Sequence, residues 1–377
     1  MILIAIYLDY CASTPLDPRV LDVMIDVYRN NPGNADSRTH IFGTKAKEVV
    51  SKSRKTLAEI LCVDPTEIIF TSGATESDNT ALLGLKEYGK RYNKTHIITT
   101  AIEHKAVIET AKAMQKEGFE VDFVKPDASG RVNPQEIISR VKENTLLVSV
   151  MHVNNETGVI QPVTEIGEEL EKKNIFFHVD AAQSFGKLND EIRTMKYDML
   201  SISGHKIHGP QGIGLLIMKR KKYQRPPVTP LLFGGQQEYG FRPGTTPVAL
   251  VAGIAAAAKI MDQEYPTVKS QIKMIKENLV AMLDKYHAQP NGDQNYVLPN
   301  VINISIPGID SEAFFAAEKD NYAISNGSAC NSGSYKPSYV LQAMGLDETR
   351  ISEALRISWW TEAFDLNAFE KYIRECQ

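Results

Sequence analysis

Short apolar runs alternate with segments of helical periodicity between residues 43 and 220. The intervening segments repeat apolar residues at three- and four-residue spacing, which predicts amphipathic helices. Strands that alternate with helices indicate an α/β fold whose mostly parallel sheet is covered by helices on both faces. The predicted strands read EIIF, HIITT, EVDFV, TLLVSVM, IFFHVD, MLSIS and GIGLLIMK.

Polar clusters directly follow five of these apolar runs. Ligands of parallel sheets bind at the carboxyl ends of the strands, so these clusters are expected to meet at one edge and form a site. The clusters read TSGATES, TAIEH, MHVNNETG, HVDAAQ and SISGHKIHG.

The pattern changes after residue 250. Residues 250–286 predict one or two helices, and the remainder mixes short strands such as NVINISIPG with helices such as SEAFFAAEKD. This change indicates a smaller C-terminal unit of different topology.

Composition narrows the classes of function. The net charge of −4 gives no reason to expect direct nucleic-acid binding. The bland stretch 248–258 is shorter than the roughly 20 residues of a membrane span, and the start lacks a basic signal region. A cytoplasmic protein without membrane contact is therefore expected.

The four cysteines are far apart and form no CxxC pair, which argues against a disulfide framework or zinc site. The eight histidines show no metal-ligand spacing, so no metal is predicted.

Two charged residues follow predicted strands. Lys206, in SISGHKIHGPQG, could form a Schiff base with a carbonyl cofactor, or it could be a solvated surface lysine. Asp180 follows an apolar strand, where a buried carboxylate needs a partner such as a pyridinium nitrogen. An ordinary loop aspartate is the alternative.

The segment FTSGATESDN predicts a strand, a turn and a helix. Backbone N–H groups at the helix start and the Thr75 hydroxyl could bind a phosphate, although a simple helix cap is equally consistent. His104 opens another helix and could be structural. We call this strand, turn and helix start the phosphate cup. The requirements of a pyridoxal phosphate site are matched by the cup together with Lys206, Asp180 and His104.

Cys330 lies in the polar stretch ISNGSACNSGSYKP. Little apolar surface can be buried there, which predicts a mobile loop, about residues 325–336, carrying a nucleophile.

These motifs, in this order, resemble the NifS/IscS-type cysteine desulfurases, which are fold-type I pyridoxal phosphate enzymes of the class V aminotransferase group. The resemblance covers residues 7 to about 360. It implies a large cofactor domain, 16–259, and a small α+β domain built from 1–15 and 260–377. It also implies a homodimer that converts L-cysteine to L-alanine and passes sulfur to an acceptor protein.

The resemblance implies roles for individual residues. Lys206 would be the Schiff-base lysine, Asp180 the pyridinium partner, His104 the residue stacked on the ring and Cys330 the persulfide-forming nucleophile. Arg356 would bind the substrate carboxylate. The remaining cofactor and substrate contacts would come from Ala74, Thr75, Asn155, Gln183, Ser203, His205 and, from the other subunit, Thr245.

Three departures leave questions open. Cys11 replaces a small Ala or Ser of the relatives and is either a packed residue or a second thiol near the pocket. Pro243 stiffens the RPGT turn. Only 21 residues follow Arg356, and this short tail together with RPGT is similar to desulfurases of DNA phosphorothioation clusters.

The acceptor pathway therefore remains open among iron–sulfur clusters, thio-cofactors and DNA phosphorothioation. A selenocysteine lyase is the alternative activity, and a non-catalytic scaffold of the same fold is the alternative of another class.

Overall fold

The computed structural model describes residues 5–327, 337–362 and 364–376. The strands are β1 (Ile6–Tyr7), β2 (Ile68–Thr71), β3 (His96–Thr100), β4 (Glu120–Val124), β5 (Thr145–Met151), β6 (Phe176–Asp180), β7 (Met199–Ser203), β8 (Gly214–Met218), β9 (Gln289–Pro290), β10 (Val301–Ser305), β11 (Tyr322–Ala323) and β12 (Ala354–Ser358).

Alternate residues of the central strands pack into two apolar clusters with helices, one on each face of the largest sheet. The helices are α1 (Pro18–Asn30), α2 (Ile41–Leu61), α3 (Ala74–Leu83), α4 (Lys86–Arg91), α5 (Lys105–Lys116), α6 (Pro134–Ser139), α7 (Val163–Lys173), α8 (Asn189–Thr194), α9 (Val248–Leu283), α10 (Ser311–Glu318), α11 (Tyr339–Ala343), α12 (Glu348–Ser352) and α13 (Leu366–Cys376).

The central sheet has seven strands in the order β2-β8-β7-β6-β5-β3-β4. All neighbouring pairs are parallel except those of β8, which is antiparallel to both β2 and β7. Only residues 204–213 connect β7 to β8, and this connection is too short for a crossover helix, so the chain must reverse. The predicted α/β fold with a mostly parallel sheet is confirmed.

Two helical segments differ in extent from a simple reading of the pattern. The segment 76–92 forms two helices, α3 and α4, separated at Gly84 and Leu85. There is no room for a side chain at Gly84, because an added Cβ would lie 2.4 Å from both Thr80 O and Val228 Cγ1. In contrast, the 36 residues of α9 form one helix that continues through Pro266.

The smaller unit is built on the antiparallel sheet β12-β10-β9. A parallel pair, β1 with β11, brings the start of the chain to this unit, and a bridge between Asp9 and Ser358 continues the contact. The predicted boundary between residues 259 and 260 falls inside α9, whose packing against α1 and α2 and against α13 joins the two units.

Two surface properties bear on the predicted environment of the protein. None of the helices in the described ranges combines the length and apolar composition of a membrane span. At the sheet edge, His96, Glu120 and Asp122 bring potential ligand atoms within 4.8 Å of one another. Lys142 contacts Glu120, and Arg140 lies 3.9 Å from Asp122, so cations already balance these acids.

Candidate active site

A cavity of about 600 Å³ opens at the carboxyl ends of the central strands. It collects every residue predicted to contact cofactor or substrate within one chain, whereas Thr245 is exposed outside its wall. Cys330 lies outside the described residues. The predicted residues that line the cavity are Ala74, Thr75, His104, Asn155, Asp180, Gln183, Ser203, His205, Lys206 and Arg356.

The predicted phosphate cup lies between β2 and α3. Gly73 has φ +154° and ψ 177°, a backbone region that is almost exclusive to glycine. An added Cβ on Gly214 would lie 2.5 Å from the Gly73 Cα, so the two glycines allow β8 to approach the cup. The first turn of α3 has no side-chain cap among the described residues, which leaves its N–H groups available to an anion.

Lys206 ends a short 3₁₀ turn that directly follows β7. Its Nζ donates hydrogen bonds to Cys11 O at 2.6 Å and Ala12 O at 2.8 Å. Burial is the main cause that lowers the pKa of Lys206 to about 8, and the positive charge of Arg356 lowers it further. The neutral amine, which is the nucleophilic form, is therefore reached at a lower pH than for an ordinary lysine.

Asp180 ends β6 and is buried, with Oδ1 accepting a hydrogen bond from Ala182 N at 2.8 Å. Burial raises its pKa, while the Ala182 N–H and the charges of His104 and Lys206 oppose that effect. A cationic partner in the cavity would offset the cost of an ionised carboxylate at this position.

His104 caps α5, since its Nδ1 accepts a hydrogen bond from Ala106 N at 3.1 Å. Burial lowers the pKa of His104, which favours the neutral ring. With Nδ1 acting as the acceptor, the proton of the neutral ring resides on Nε2. The ring is thus held in a defined tautomer at the cavity wall.

Residues 9–14, which we call the N-terminal turn, close the cavity against the Lys206 segment. Besides the two carbonyls that accept from Lys206, Cys11 O accepts from Gln183 Nε2 at 2.8 Å. Thr14 N and Oγ1 both donate to His205 O at 2.9 Å. The start of the chain therefore helps to fix residues that lie about 170–195 positions further along.

Arg356 lies on β12 and is buried, with 3% of its surface exposed. Its Nη1 donates to Asn155 O at 2.9 Å and its Nη2 donates to Asp9 Oδ1 at 2.6 Å. The arginine is recognisable by its motif, whereas Asp9 is not. No local signal marks this aspartate, because its contact spans 347 residues.

A layer of buried titratable groups lies behind Asp180. Neither carboxylate oxygen of Asp78 has a hydrogen-bond partner by distance and angle among the described residues, and His178 Nε2 is 3.5 Å from Oδ1. Burial strongly raises the pKa of Asp78, and it raises that of Glu103 to about 8. Both acids are thus favoured as neutral groups, an arrangement that strand periodicity did not predict.

Cys11 is buried and borders the cavity. It also packs with Val153, Leu298 and Val301, as a small core residue would. Cys11 is therefore both a packed small residue and a thiol near the pocket, which are the two alternatives that its sequence left open.

The residues of the cavity fit pyridoxal phosphate. Asn155 Oδ1 is buried and lacks a hydrogen-bond partner within the described part of the chain, so a polar ligand group would satisfy it. The uncapped start of α3 suits a phosphate, Asp180 suits a protonated ring nitrogen, and Lys206 suits an aldehyde carbon.

Comparison with known proteins places the chain in a family. Residues 6–362 match the aminotransferase class-V family, and the chain belongs to it. Enzymes of this kind that act as cysteine desulfurases use pyridoxal phosphate. The family predicted from the sequence motifs is confirmed.

Individual relatives are cysteine desulfurases. The mitochondrial cysteine desulfurase of Saccharomyces cerevisiae is 45% identical over 93% of this chain and 70% of its own length. The cysteine desulfurase IscS of Escherichia coli is 42% identical over 94% of this chain and 87% of its own length.

Two solved structures share the fold. DndA from Streptomyces lividans is 45% identical, with a TM-score of 0.82 over 93% of this chain and 98% of that one. SspA in complex with cysteine is 35% identical, with a TM-score of 0.84 over 96% and 100% of the two chains.

Proposed function

We propose that this protein is a cysteine desulfurase that converts L-cysteine to L-alanine and transfers sulfur, as a persulfide on Cys330, to an acceptor protein. One observation carries the proposal. A single cavity holds Lys206, Asp180 and Arg356 together with Gly327, the last described residue before the Cys330 segment.

The two ends of the undescribed segment 328–336 lie at the same buried residue. Gly327 packs against the side chain of Glu156, since an added Cβ would lie 3.1 Å from Glu156 Cβ. On the other side, Ser338 Oγ donates to Glu156 Oε2 at 2.5 Å. Glu156 neighbours Asn155, which lines the cavity, so described residues on both sides of the segment lie beside the proposed substrate site.

The side chains divide the work of the reaction. Arg356 would bind the substrate carboxylate, Asp180 would balance positive charge on a bound ring, and the Lys206 amine would accept the proton from the substrate Cα. Pyridoxal phosphate, when bound, would supply the electron sink for this chemistry. His104, neutral and protonated on Nε2, contributes a stacking surface and a proton donor.

Sulfur transfer balances without an external oxidant. The Cys330 thiolate attacks the substrate sulfur, the new S–S bond forms, and the bond between sulfur and Cβ breaks. The electron pair of that bond stays with Cβ, which takes up a proton and becomes the methyl group of alanine. The sulfur is oxidised to the persulfide level while the carbon is reduced.

Replacement of Cys330 and, separately, of Cys11 tests the assignment. Cys330→Ser should retain the absorption of the bound cofactor and abolish sulfide release from L-cysteine, because serine cannot form a persulfide. Cys11→Ser is the matched control and should keep sulfide release. Undiminished release by Cys330→Ser, with loss in Cys11→Ser, would transfer the nucleophile role to Cys11.

The choice between sulfur and selenium is decided by turnover. The proposed desulfurase should release alanine from L-cysteine with its own Cys330 persulfide as the first product. Turnover of L-selenocysteine alone would establish the lyase alternative instead.

The proposed homodimer is supported by exposed apolar side chains on two segments that contact each other. Phe233 is 91% exposed, and Ile41 and Phe42 are 60% and 50% exposed. Gln237 Nε2 donates to Asp36 Oδ2 at 2.9 Å, which holds these two chain segments together. A second copy would cover this surface and bring Thr245, exposed here, to the phosphate cup of its partner.

For the acceptor, we propose a protein of a sulfur-donation pathway, with DNA phosphorothioation favoured by the likeness to DndA. We also infer a cytoplasmic location, and the net charge of −4 supports a protein that delivers sulfur to a partner rather than contacting DNA itself. Labelling the Cys330 persulfide with radioactive sulfur and following its transfer in cell extract would identify the acceptor.

A further inference from the structure

We propose that Asp9 is a positioning residue for recognition of the substrate carboxylate. In this inference, which rests on the proposed function, Asp9 holds the Arg356 guanidinium in the orientation that leaves its Nε–H for the incoming carboxylate.

The hydrogen bonds of Arg356 define that orientation. A guanidinium offers five N–H donors in a rigid plane. Nη1 is engaged by Asn155 O and Nη2 by Asp9 Oδ1, whereas Nε is buried without a partner among the described residues. A buried donor that lacks an acceptor is unfavourable, so an acceptor supplied by the substrate would relieve it.

A carboxylate is the acceptor that matches this donor. Two oxygens of one carboxylate can accept parallel hydrogen bonds from one side of a guanidinium. Nη1 and Nη2 each hold one contact and keep a second N–H, whereas Nε has no partner among the described residues, so a carboxylate that pairs with Nε and one Nη would complete the set. A rotated guanidinium would turn Nε away and lose this match.

Asp9 itself is held firmly. Its backbone carbonyl accepts from Ala12 N at 2.9 Å and from the Tyr7 hydroxyl at 3.2 Å. The single proton of that hydroxyl is shared with Ser13 O, which lies nearer at 2.8 Å. The carboxylate that contacts Arg356 therefore projects from a turn whose shape is fixed by its own hydrogen bonds.

The N-terminal turn consequently contacts both charged groups that face an amino acid substrate. Asp9 fixes Arg356, which faces the substrate carboxylate, and Cys11 and Ala12 accept from the Lys206 amine, which faces the cofactor. One short segment thus sets the separation between the two groups. This arrangement favours an α-amino acid over an amine that lacks the carboxylate.

Equilibrium binding to the holoenzyme tests the inference without sulfur chemistry. The probes are L-alanine, which carries the carboxylate, and ethylamine, which lacks it. Both are titrated by calorimetry and by the absorption of the bound cofactor. Asp9→Ala should weaken L-alanine binding by about tenfold, corresponding to ~1.4 kcal/mol, and leave ethylamine binding unchanged.

Two variants separate positioning from folding. Asp9→Asn keeps an acceptor oxygen for Nη2 and should restore most of the affinity for L-alanine. Asp22→Ala removes an exposed acid of α1 and should match the wild type in both titrations. Thermal melting of each holoenzyme shows whether Asp9→Ala is folded at the assay temperature.

The outcomes are distinct. Equal loss of L-alanine and ethylamine binding in Asp9→Ala would show a general structural role and overturn the inference. Tighter L-alanine binding would show that Asp9 only competes for Arg356, which also overturns it. If the wild type bound L-alanine but released no sulfide from L-cysteine, the proposed function would fail while the test of Asp9 remained valid.

Discussion

Burial of Lys206 predicts a pH-dependent cost in the stability of the apo-protein. Its pKa is about 8 in the folded protein, against 10.5 for an ordinary lysine. The unfolded chain therefore binds more protons between these two values, and the stability of the wild type rises with pH in that window. The free-energy cost of burying the protonated amine is about 3 kcal/mol at pH 7 and falls to about 1 kcal/mol at pH 9.5.

The variant Lys206→Met isolates this contribution, because methionine carries no titrating proton. Urea unfolding of apo wild type and apo variant between pH 7 and 9.5 should show the wild type gaining about 2 kcal/mol relative to the variant. Lys52→Met, at an exposed position of α2, is the control, and its stability should change with pH as that of the wild type does. A constant difference between wild type and Lys206→Met over this range would refute a desolvated lysine.

Two further predictions concern the cofactor cup and the dimer. Gly214→Ala should destabilise the protein by about 1–3 kcal/mol and speed cofactor loss on dialysis, since its Cβ would clash with Gly73. Cofactor retention by Gly214→Ala equal to that of the wild type would contradict this prediction. Phe233→Asp should raise the dimer dissociation constant at least about tenfold in sedimentation, because a charge would enter an apolar interface. Met274→Asp, 54% exposed on α9, is its control, and equal effects of the two would argue against the proposed interface.

Much of the cofactor site could be predicted because its chemistry follows single strands. Asp180 and Lys206 each follow a strand whose apolar character is visible locally, and parallel topology brings strand ends together. The cup was visible for the same reason, as a strand, a glycine turn and a helix in sequence. Each of these signals is contained in a continuous segment of about ten residues.

The contacts that adjust the site could not be predicted in this way. Asp9 and Arg356 meet through β1, the bridge to Ser358 and β12, which are strands of two to five residues with weak patterns. Asp78 lies in a helix whose sequence suggests no burial, yet it is fully buried and interacts electrostatically with Asp180. Strand order and helix packing decide both positions.

The sequence by itself determined the alternation of strands and helices, the polar residues that follow the strand ends and the family, because these depend on local periodicity and on motifs at strand ends. Tertiary structure alone decided that β8 runs against its neighbours, that the N-terminal turn closes on Lys206, and that Arg356 is oriented by Asp9. The reason is physical: hydrogen bonds between residues hundreds of positions apart form only after the sheet and its covering helices have brought them together, and no local pattern records such a meeting.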